Sequence, residues 1–142
     1  MAYSTPHTSP PWRFRLIALT AIAIGVALLI VVRAAMARER DASGRAQLVA
    51  ELRRLDDLQV AWEARRGIFA TRVAPSGDDS TLTFVPPPGV RLRFETGPGS
   101  GWSATATNEQ LRVAPRHCGI YRGPAETAPH RALTAPGEVR CW

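Results

Sequence analysis

The sequence contains no lysine: all 18 of its basic residues are arginine, against 12 acidic residues, which gives a net charge of +6. Exclusive use of arginine is typical of a bias in genomic base composition, so we do not interpret it as phosphate recognition. No acidic residue occurs between Ala2 and Val32. Cysteine is scarce as well, since only Cys118 and Cys141 are present. Two cysteines exclude a disulfide-rich scaffold and allow a single bridge.

Catalytic and cofactor-binding motifs are also missing. The chain has no G-x-S-x-G, H-E-x-x-H, P-loop or dinucleotide fingerprint. Its three histidines are His7, His117 and His130, and the last two lie at an irregular spacing from the cysteines for a zinc site. We therefore predict that the protein is not an enzyme, and that it has no cofactor, no metal site and no small-molecule substrate.

A 17-residue run without charge, Leu16 to Val32, lies near the N-terminus. As a helix it would span about 25 Å, close to the ~30 Å hydrocarbon core of a bilayer. Trp12 and several arginines flank it, as is typical of membrane helices. We predict a disordered tail over residues 1–15 and a transmembrane helix over residues 16–33. The residues that anchor the chain in membrane lipid include Leu16, Ile22, Ile24, Leu28, Leu29 and Val32.

Cleavage and orientation of this segment have two interpretations each. The run could be the apolar region of a signal peptide cleaved after Ala37, but its length and the intervening Arg33 favour an uncleaved anchor. The arginines that follow the run, such as Arg38 and Arg40, outnumber those before it and favour a cytoplasmic C-terminal side. A disulfide in the C-terminal half favours the opposite orientation, because disulfides persist outside the cytosol. We give the disulfide more weight.

An amphipathic pattern follows the membrane segment. It predicts a helix within residues 34–70, from Ala46 to about Arg66, with Gly44 as a weak point and Gly67 as its end. The helix packs on its own domain or pairs with another helix as a coiled coil; Gln59 interrupts the heptad and favours the first. Its apolar stripe consists of Leu48, Leu52, Leu55, Trp62 and Phe69, while the charged doublets Arg53–Arg54, Asp56–Asp57 and Arg65–Arg66 are expected to be solvated.

Short alternating segments separated by Gly/Pro turns fill residues 80–142. Alternation is typical of an antiparallel sheet with one solvated face. We predict four or five short strands among the segments "TLTFV", "VRLRFET", "WSATATN", "QLRV", "CGIYRG" and "EVRCW". An apolar sheet face and an apolar helix stripe suit each other, so the predicted fold is α+β: a transmembrane helix continues into an amphipathic helix packed on a small antiparallel sheet. On the sheet side the packing residues are Val90, Leu92, Phe94 and Trp102.

The two cysteines bracket a loop, "RGPAETAPHRALTAPG", that has little hydrophobic content. Such a loop is ordered poorly by packing alone, and a Cys118–Cys141 bridge would stabilise it by about 3 kcal/mol. A redox-active or metal-binding thiol pair is the alternative, but the chain has no C-x-x-C. We predict a structural disulfide that closes the C-terminal loop.

The tail "GWSATATNEQL", followed by "CGIYRG" and "GEVRCW", resembles the last strands of type IV pilins and type II secretion pseudopilins. The helix segment "LRRLDDLQVAWEARRGIFAT" is also similar, and the resemblance covers roughly residues 16–142. It implies a filament-type membrane subunit. The family carries a small residue, usually Gly, at a processing site and a Glu at the fifth position of the apolar segment. This chain has no Gly before Phe14 and no acidic residue from Ala2 to Val32. The resemblance therefore implies a pilin-like shape on a fixed single-pass anchor.

Two functions fit these features. The first is a pilin-like protein of a bacterial inner membrane, with its C-terminal domain periplasmic or extracellular, which contacts other pilin-like or secretion-system subunits as a minor or accessory component. The second is a tethered binding module unrelated to filaments, with a basic face for DNA or another anionic polymer. Residues after Arg40 carry 13 arginines and 11 acidic residues, so nucleic acid is not an expected partner. The candidate basic face consists of Arg91, Arg93, Arg112, Arg116, Arg122, Arg131 and Arg140.

Overall fold

A computed structural model describes residues 11–142 of the chain. One helix, α1, runs from Pro11 to Arg66 over 56 residues. Its first residue is a proline, whose fixed φ and missing N–H suit the first helical position. Residues 11–15 are therefore helical rather than part of the predicted disordered tail, and residues 1–10 of that tail lie outside the described residues.

Helix α1 ends at Arg66, and Gly67 follows with a φ of +76°. Its N–H donates to the carbonyl oxygen of Glu63 over 2.7 Å. Glycine is favoured at such a helix end because a positive φ there costs it no steric clash. Gly44 does not interrupt the helix. A Cβ added there would lie 2.7 Å from Cδ2 of Leu111, so this glycine allows a loop to pack closely against α1.

The chain divides into two compact units, with the boundary between Ala37 and Arg38. In the first unit, the described residues are those of α1 up to Ala37. The second unit holds the rest of α1, which is followed by six strands and a short 3-10 helix. The strands are β1 (Val73–Ala74), β2 (Leu82–Thr83), β3 (Val90–Thr96), β4 (Trp102–Asn108), β5 (His117–Arg122) and β6 (Arg140–Cys141), and the 3-10 helix is Ala125–Thr127.

Strands β3 to β6 form an antiparallel sheet in chain order, β3-β4-β5-β6. Strands β1 and β2 form a separate parallel pair, in which Val73 lies opposite Leu82. The prediction that "TLTFV" belongs to the antiparallel sheet is thus wrong. Pro86, Pro87 and Pro88 follow β2, and proline cannot donate to a strand ladder, so this run separates β2 from the sheet.

The segment "QLRV", Gln110 to Val113, is not a strand, contrary to the sequence prediction. Its backbone groups have other partners. The N–H of Leu111 donates to the carbonyl oxygen of Asn108 in a turn. The N–H groups of Arg112 and Val113 donate to the carboxylate of Asp41 on α1. These bonds satisfy the backbone of the segment without a neighbouring strand.

The core of the second unit lies between α1 and one face of the sheet. Leu48, Leu52 and Leu55 are fully buried there. Side chains alternate along a strand, so Trp102, Ala104 and Ala106 of β4 share the face toward the core. The small alanines leave room for the leucines of α1. Burying leucine side chains in this way stabilises the unit by about 1.5–3 kcal/mol each.

The opposite face of the sheet is only partly solvated, which differs from the prediction. Ser103 of β4 and Tyr121 of β5 point to that face and are buried. The segment between the cysteines folds back over it. Within this segment Leu133 is buried, and a Cβ added at Gly119 would lie 3.2 Å from its Cδ1. The loop therefore has an apolar residue that packs against the sheet, besides the bridge at its ends.

Candidate functional site

The apolar run at the start of α1 is the first candidate functional feature. This helix is long and apolar enough to cross a membrane, with a mean hydropathy of 2.6 in its most apolar window. The six predicted anchor residues are 44–68% exposed in the isolated chain. A helix that is apolar on all sides and covered by nothing is unfavourable in water. The anchor residues are Leu16, Ile22, Ile24, Leu28, Leu29 and Val32.

The predicted packing residues all belong to the core cluster of the second unit. Five of them are buried, and four are partly buried at its edge. Trp102 organises the aromatic part: its ring lies 6.3 Å from Phe69 in an edge-on arrangement and 5.8 Å from Phe94 in a stacked one. The buried residues are Leu48, Leu52, Leu55, Val90 and Trp102, and those at the edge are Trp62, Phe69, Leu92 and Phe94.

The cysteines form the predicted disulfide, which is confirmed. Cys118 of β5 and Cys141 of β6 lie directly opposite each other in the antiparallel ladder, with their Cα atoms 3.9 Å apart. The bridge closes a segment with a sequence separation of 23 residues. Hydrogen bonds in both directions between His117 and Trp142 flank it. Backbone pairing and the covalent bond thus attach the final strand to the sheet.

A partly buried ion pair joins α1 to the end of β5. Nε of Arg122 donates to Asp56 over 2.8 Å, and a second guanidinium nitrogen donates to the other carboxylate oxygen over 2.6 Å. The hydrogen bonds to Asp56 raise the pKa of Arg122 above its usual value. Asp56 is buried, so the expectation that this residue is solvated is wrong. The sequence places Asp56 four residues after Leu52, at a spacing that shares a helix face with the stripe.

Gln59 makes a second connection from α1, to the chain that follows the helix. Its side chain is fully buried. Its Nε2 donates to the carbonyl oxygen of Ala70 over 3.2 Å, while its Oε1 accepts from the Ala70 N–H over 2.9 Å. The amide thus pairs with both backbone groups of one residue, as a neighbouring strand would. Gln59 was interpreted as an interruption of the heptad. However, Gln59 follows Leu55 by four residues and continues the apolar stripe.

Asp41 makes a third connection, to the loop between β4 and β5. Its two carboxylate oxygens accept from the N–H groups of Arg112 over 3.3 Å and Val113 over 2.9 Å. It is buried, and it lies seven residues before Leu48 on the same helix face. This role of Asp41 was not predicted from the sequence. A polar residue at the spacing of the apolar stripe is the signal that marks all three connecting side chains.

The outer face of the sheet carries a groove of about 640 Å³ next to Trp142. Arg91, Thr107 and His117 form one row across three strands at its base. The Trp142 ring stacks on His130, with centroids 4.4 Å apart. The charges that line the groove are mixed, because Glu95 lies there together with Arg91 and Arg93.

The seven arginines of the candidate basic face do not form one uncompensated patch. Arg91 pairs with Glu109, Arg93 with Glu95, and Arg140 with Glu138, while Arg122 is bound by Asp56. The remaining three of the seven form no ion pair with any carboxylate of residues 11–142. They are Arg112, Arg116 and Arg131.

The described part of the chain holds no group of three or more His, Cys, Asp or Glu side chains that could bind a metal ion. Asp78 has a strongly lowered pKa. It accepts from the hydroxyl and the N–H of Ser80, and these bonds lower its pKa from 3.8 to about 2. The arrangement is an exposed turn, in which an Asp side chain bonds the backbone two residues later.

Comparison with known proteins finds no matching family model, no similar curated protein and no similar solved structure. The features above are therefore interpreted from their own chemistry.

Proposed function

We propose that the protein is a membrane-anchored, extracytoplasmic, pilin-like subunit that acts through contacts with other proteins rather than through catalysis. The observation that carries this proposal is that the two parts of α1 lie in different environments. Its residues from Leu16 to Val32 are exposed and apolar, whereas Leu48, Leu52 and Leu55 are buried beneath an antiparallel sheet. One helix thus supplies both a membrane-length segment and the core of a folded unit.

The disulfide supports an extracytoplasmic location for the second unit. Reducing systems keep cytosolic thiols free, whereas bridges persist in the periplasm and outside the cell. Cys118 is fully buried and is joined to a final strand of two residues. A strand this short adds little stability by itself, so the bridge has a structural use in an oxidising compartment.

Protein contact is favoured over the alternative of a basic module that binds DNA or another polymer. Four of the seven candidate arginines have carboxylate partners. The positive electrostatic potential of the candidate basic face is therefore weaker than the number of arginines indicates. The apolar run itself remains available to lipid and to other membrane helices. In a pilin-like subunit, this run contacts the corresponding helices of its neighbours.

The test is site-specific photocrosslinking of the full-length protein in its native membranes. A photoreactive amino acid at Ile24 reports on the apolar run, and one at Val85, which is similarly exposed in a loop, serves as the control. We expect the protein to resist carbonate extraction, and the Ile24 probe to join the helix of a second copy or of another anchored subunit identified by mass. The Val85 probe should not form this adduct.

Each contrary result is specific. Release of the protein by carbonate would refute the membrane anchor. Retention in the membrane with adducts to lipid only would refute the subunit role and favour a tethered module. Free thiols at Cys118 and Cys141 in protein taken directly from cells would refute the extracytoplasmic location.

A further inference from the structure

The second unit begins at Arg38, only six residues after Val32, the last residue of the apolar run. Even fully extended, six residues span about 20 Å. If the run is the membrane anchor of the proposed function, the start of the second unit is thus held close to the lipid headgroups. What this end of the unit exposes then decides how it interacts with the bilayer.

The loop between β4 and β5 lies at the same end of the unit. Asp41, three residues after Arg38, accepts from the backbone N–H groups of Arg112 and Val113. One helical turn further on, Leu111 packs over Gly44. The loop is therefore fixed to the first turns of the unit at two points. Its position follows from contacts within the unit alone.

This end presents arginines without carboxylate partners, together with an apolar tip. Arg38, Arg40, Arg112 and Arg116 are exposed, and within residues 11–142 none of them forms an ion pair. Val113 lies between the two loop arginines in the sequence and is 59% exposed. We call these five residues the proximal surface.

The nearby acidic residues compensate little of this charge. Asp41 is buried and its oxygens accept backbone hydrogen bonds, and Glu109 forms an ion pair with Arg91. Only Glu39 is exposed beside the arginines without such a partner. Basic side chains around an exposed apolar residue are typical of a surface that lies in the headgroup layer, where arginine binds phosphate and the apolar group reaches the acyl boundary.

We propose that the proximal surface binds the phosphates of anionic lipid headgroups in the membrane that anchors the same chain. This inference rests on the membrane anchor of the proposed function. The tether supplies a high local concentration of headgroups, so weak individual contacts suffice. It also gives a role to the arginines that follow the apolar run: Arg38 and Arg40 would belong to a folded, lipid-binding surface instead of indicating a cytoplasmic side.

The experiment uses the full-length, oxidised protein reconstituted in vesicles of phosphatidylcholine with or without phosphatidylglycerol. Within residues 11–142 no free cysteine is present, and the whole sequence has only the two bridged ones, so Val113→Cys introduces one reactive thiol for a fluorophore. The control label is placed by Ser100→Cys in the β3–β4 turn. The seven residues of β4 separate the two turns by about 20 Å. Lipids with a nitroxide on the headgroup act as the quencher.

We expect headgroup quenching of the Val113→Cys label to exceed that of the Ser100→Cys label several-fold in anionic vesicles, and to weaken without phosphatidylglycerol or in 1 M salt. The double change Arg112→Gln and Arg116→Gln should lower the ratio of docked to undocked protein about thirtyfold. Arg131→Gln, which removes another unpaired exposed arginine outside the proximal surface, should leave quenching unchanged.

Flotation of the same vesicles separates the two proposals. Protein that floats but shows equal quenching at both labels would overturn lipid binding by the proximal surface and leave the anchor intact. Equal loss of quenching in Arg131→Gln and the double variant would also overturn it, because charge alone would then explain the signal. Protein that does not float would refute the anchor, and this inference with it.

Discussion

Replacing Gln59 by leucine should destabilise the folded unit. Gln59 is fully buried and bonds both backbone groups of Ala70, which is itself buried. Leucine has a similar volume but leaves that N–H and that carbonyl oxygen without partners. Each unpaired buried group costs about 1–3 kcal/mol. Some relaxation toward water is expected at the chain that follows α1, so the predicted loss is about 2–5 kcal/mol.

The measurement is denaturant unfolding of the full-length oxidised protein in detergent, followed by tryptophan fluorescence, since Trp102 lies in the core. Gln110→Leu is the matched control. Gln110 is exposed, so this change should alter the free energy of unfolding by less than about 0.5 kcal/mol. A Gln59→Leu variant that unfolds at the same midpoint as Gln110→Leu would refute the role assigned to the amide.

The variant Gln59→Glu should have a stability that depends on pH. The introduced carboxylate would keep the bond from the Ala70 N–H but would place a negative oxygen against the Ala70 carbonyl. The folded state therefore favours the protonated form, and the pKa of the introduced carboxyl is raised above its unfolded value of about 4.3. With a raised pKa, the stability contribution is complete below about pH 4 and is lost as pH rises through the folded-state pKa. A variant equally stable at pH 4 and pH 7 would contradict this.

Three further predictions concern the disulfide, the ion pair between Arg122 and Asp56, and the turn at Asp78. Replacing both Cys118 and Cys141 by serine should lower the free energy of unfolding by about 3 kcal/mol, and reduction of the unmodified protein should give the same shift of the midpoint; no shift would mean that packing of Leu133 alone orders the loop. Arg122→Gln leaves Asp56 buried without its partner and should lower the free energy of unfolding by about 2–3 kcal/mol. This loss is below the range for fully buried pairs because Arg122 is 34% exposed. Adding Asp56→Asn should recover part of the loss, and purely additive effects of the two changes would argue against a direct pair. NMR titration should give Asp78 a pKa of about 2, and Ser80→Ala should raise it toward 3.8. Because the folded-state pKa is lowered, the stability from this turn is present above about pH 4 and is lost as pH falls toward 2. An unchanged Asp78 pKa in Ser80→Ala would exclude the hydroxyl as the cause.

The periodic parts of the fold could be predicted from the sequence because their side chains alternate between two environments. The strands "VRLRFET" and "WSATATN" coincide with β3 and β4, and the leucine stripe of α1 lies in the core. The disulfide followed from the scarcity of cysteine and was confirmed. In β3, residue type alone separates the side that faces the core from the side that faces solvent.

The prediction was wrong where one specific hydrogen bond replaces a general preference. "QLRV" has strand-like residues, but its backbone groups bond the carboxylate of Asp41. Asp56 was expected to be solvated and Gln59 was interpreted as an interruption of the heptad, yet both are buried. Asp56 is bound by Arg122, and Gln59 by the Ala70 backbone. No local pattern identifies such a partner. Their spacing from Leu52 and Leu55 was the available signal, and it indicates burial only together with a partner.

The strand order of the antiparallel sheet has a consequence for how the chain acquires its structure during synthesis. Each strand from β4 to β6 pairs with the strand that precedes it, so the sheet can grow strand by strand as the chain emerges. The leucine stripe of α1 is made before any of them and can receive each in turn. Cys141 is in the last strand, and its thiol meets Cys118 only after β5 is in place. An oxidation that follows this order seals a finished sheet and does not direct the earlier pairings.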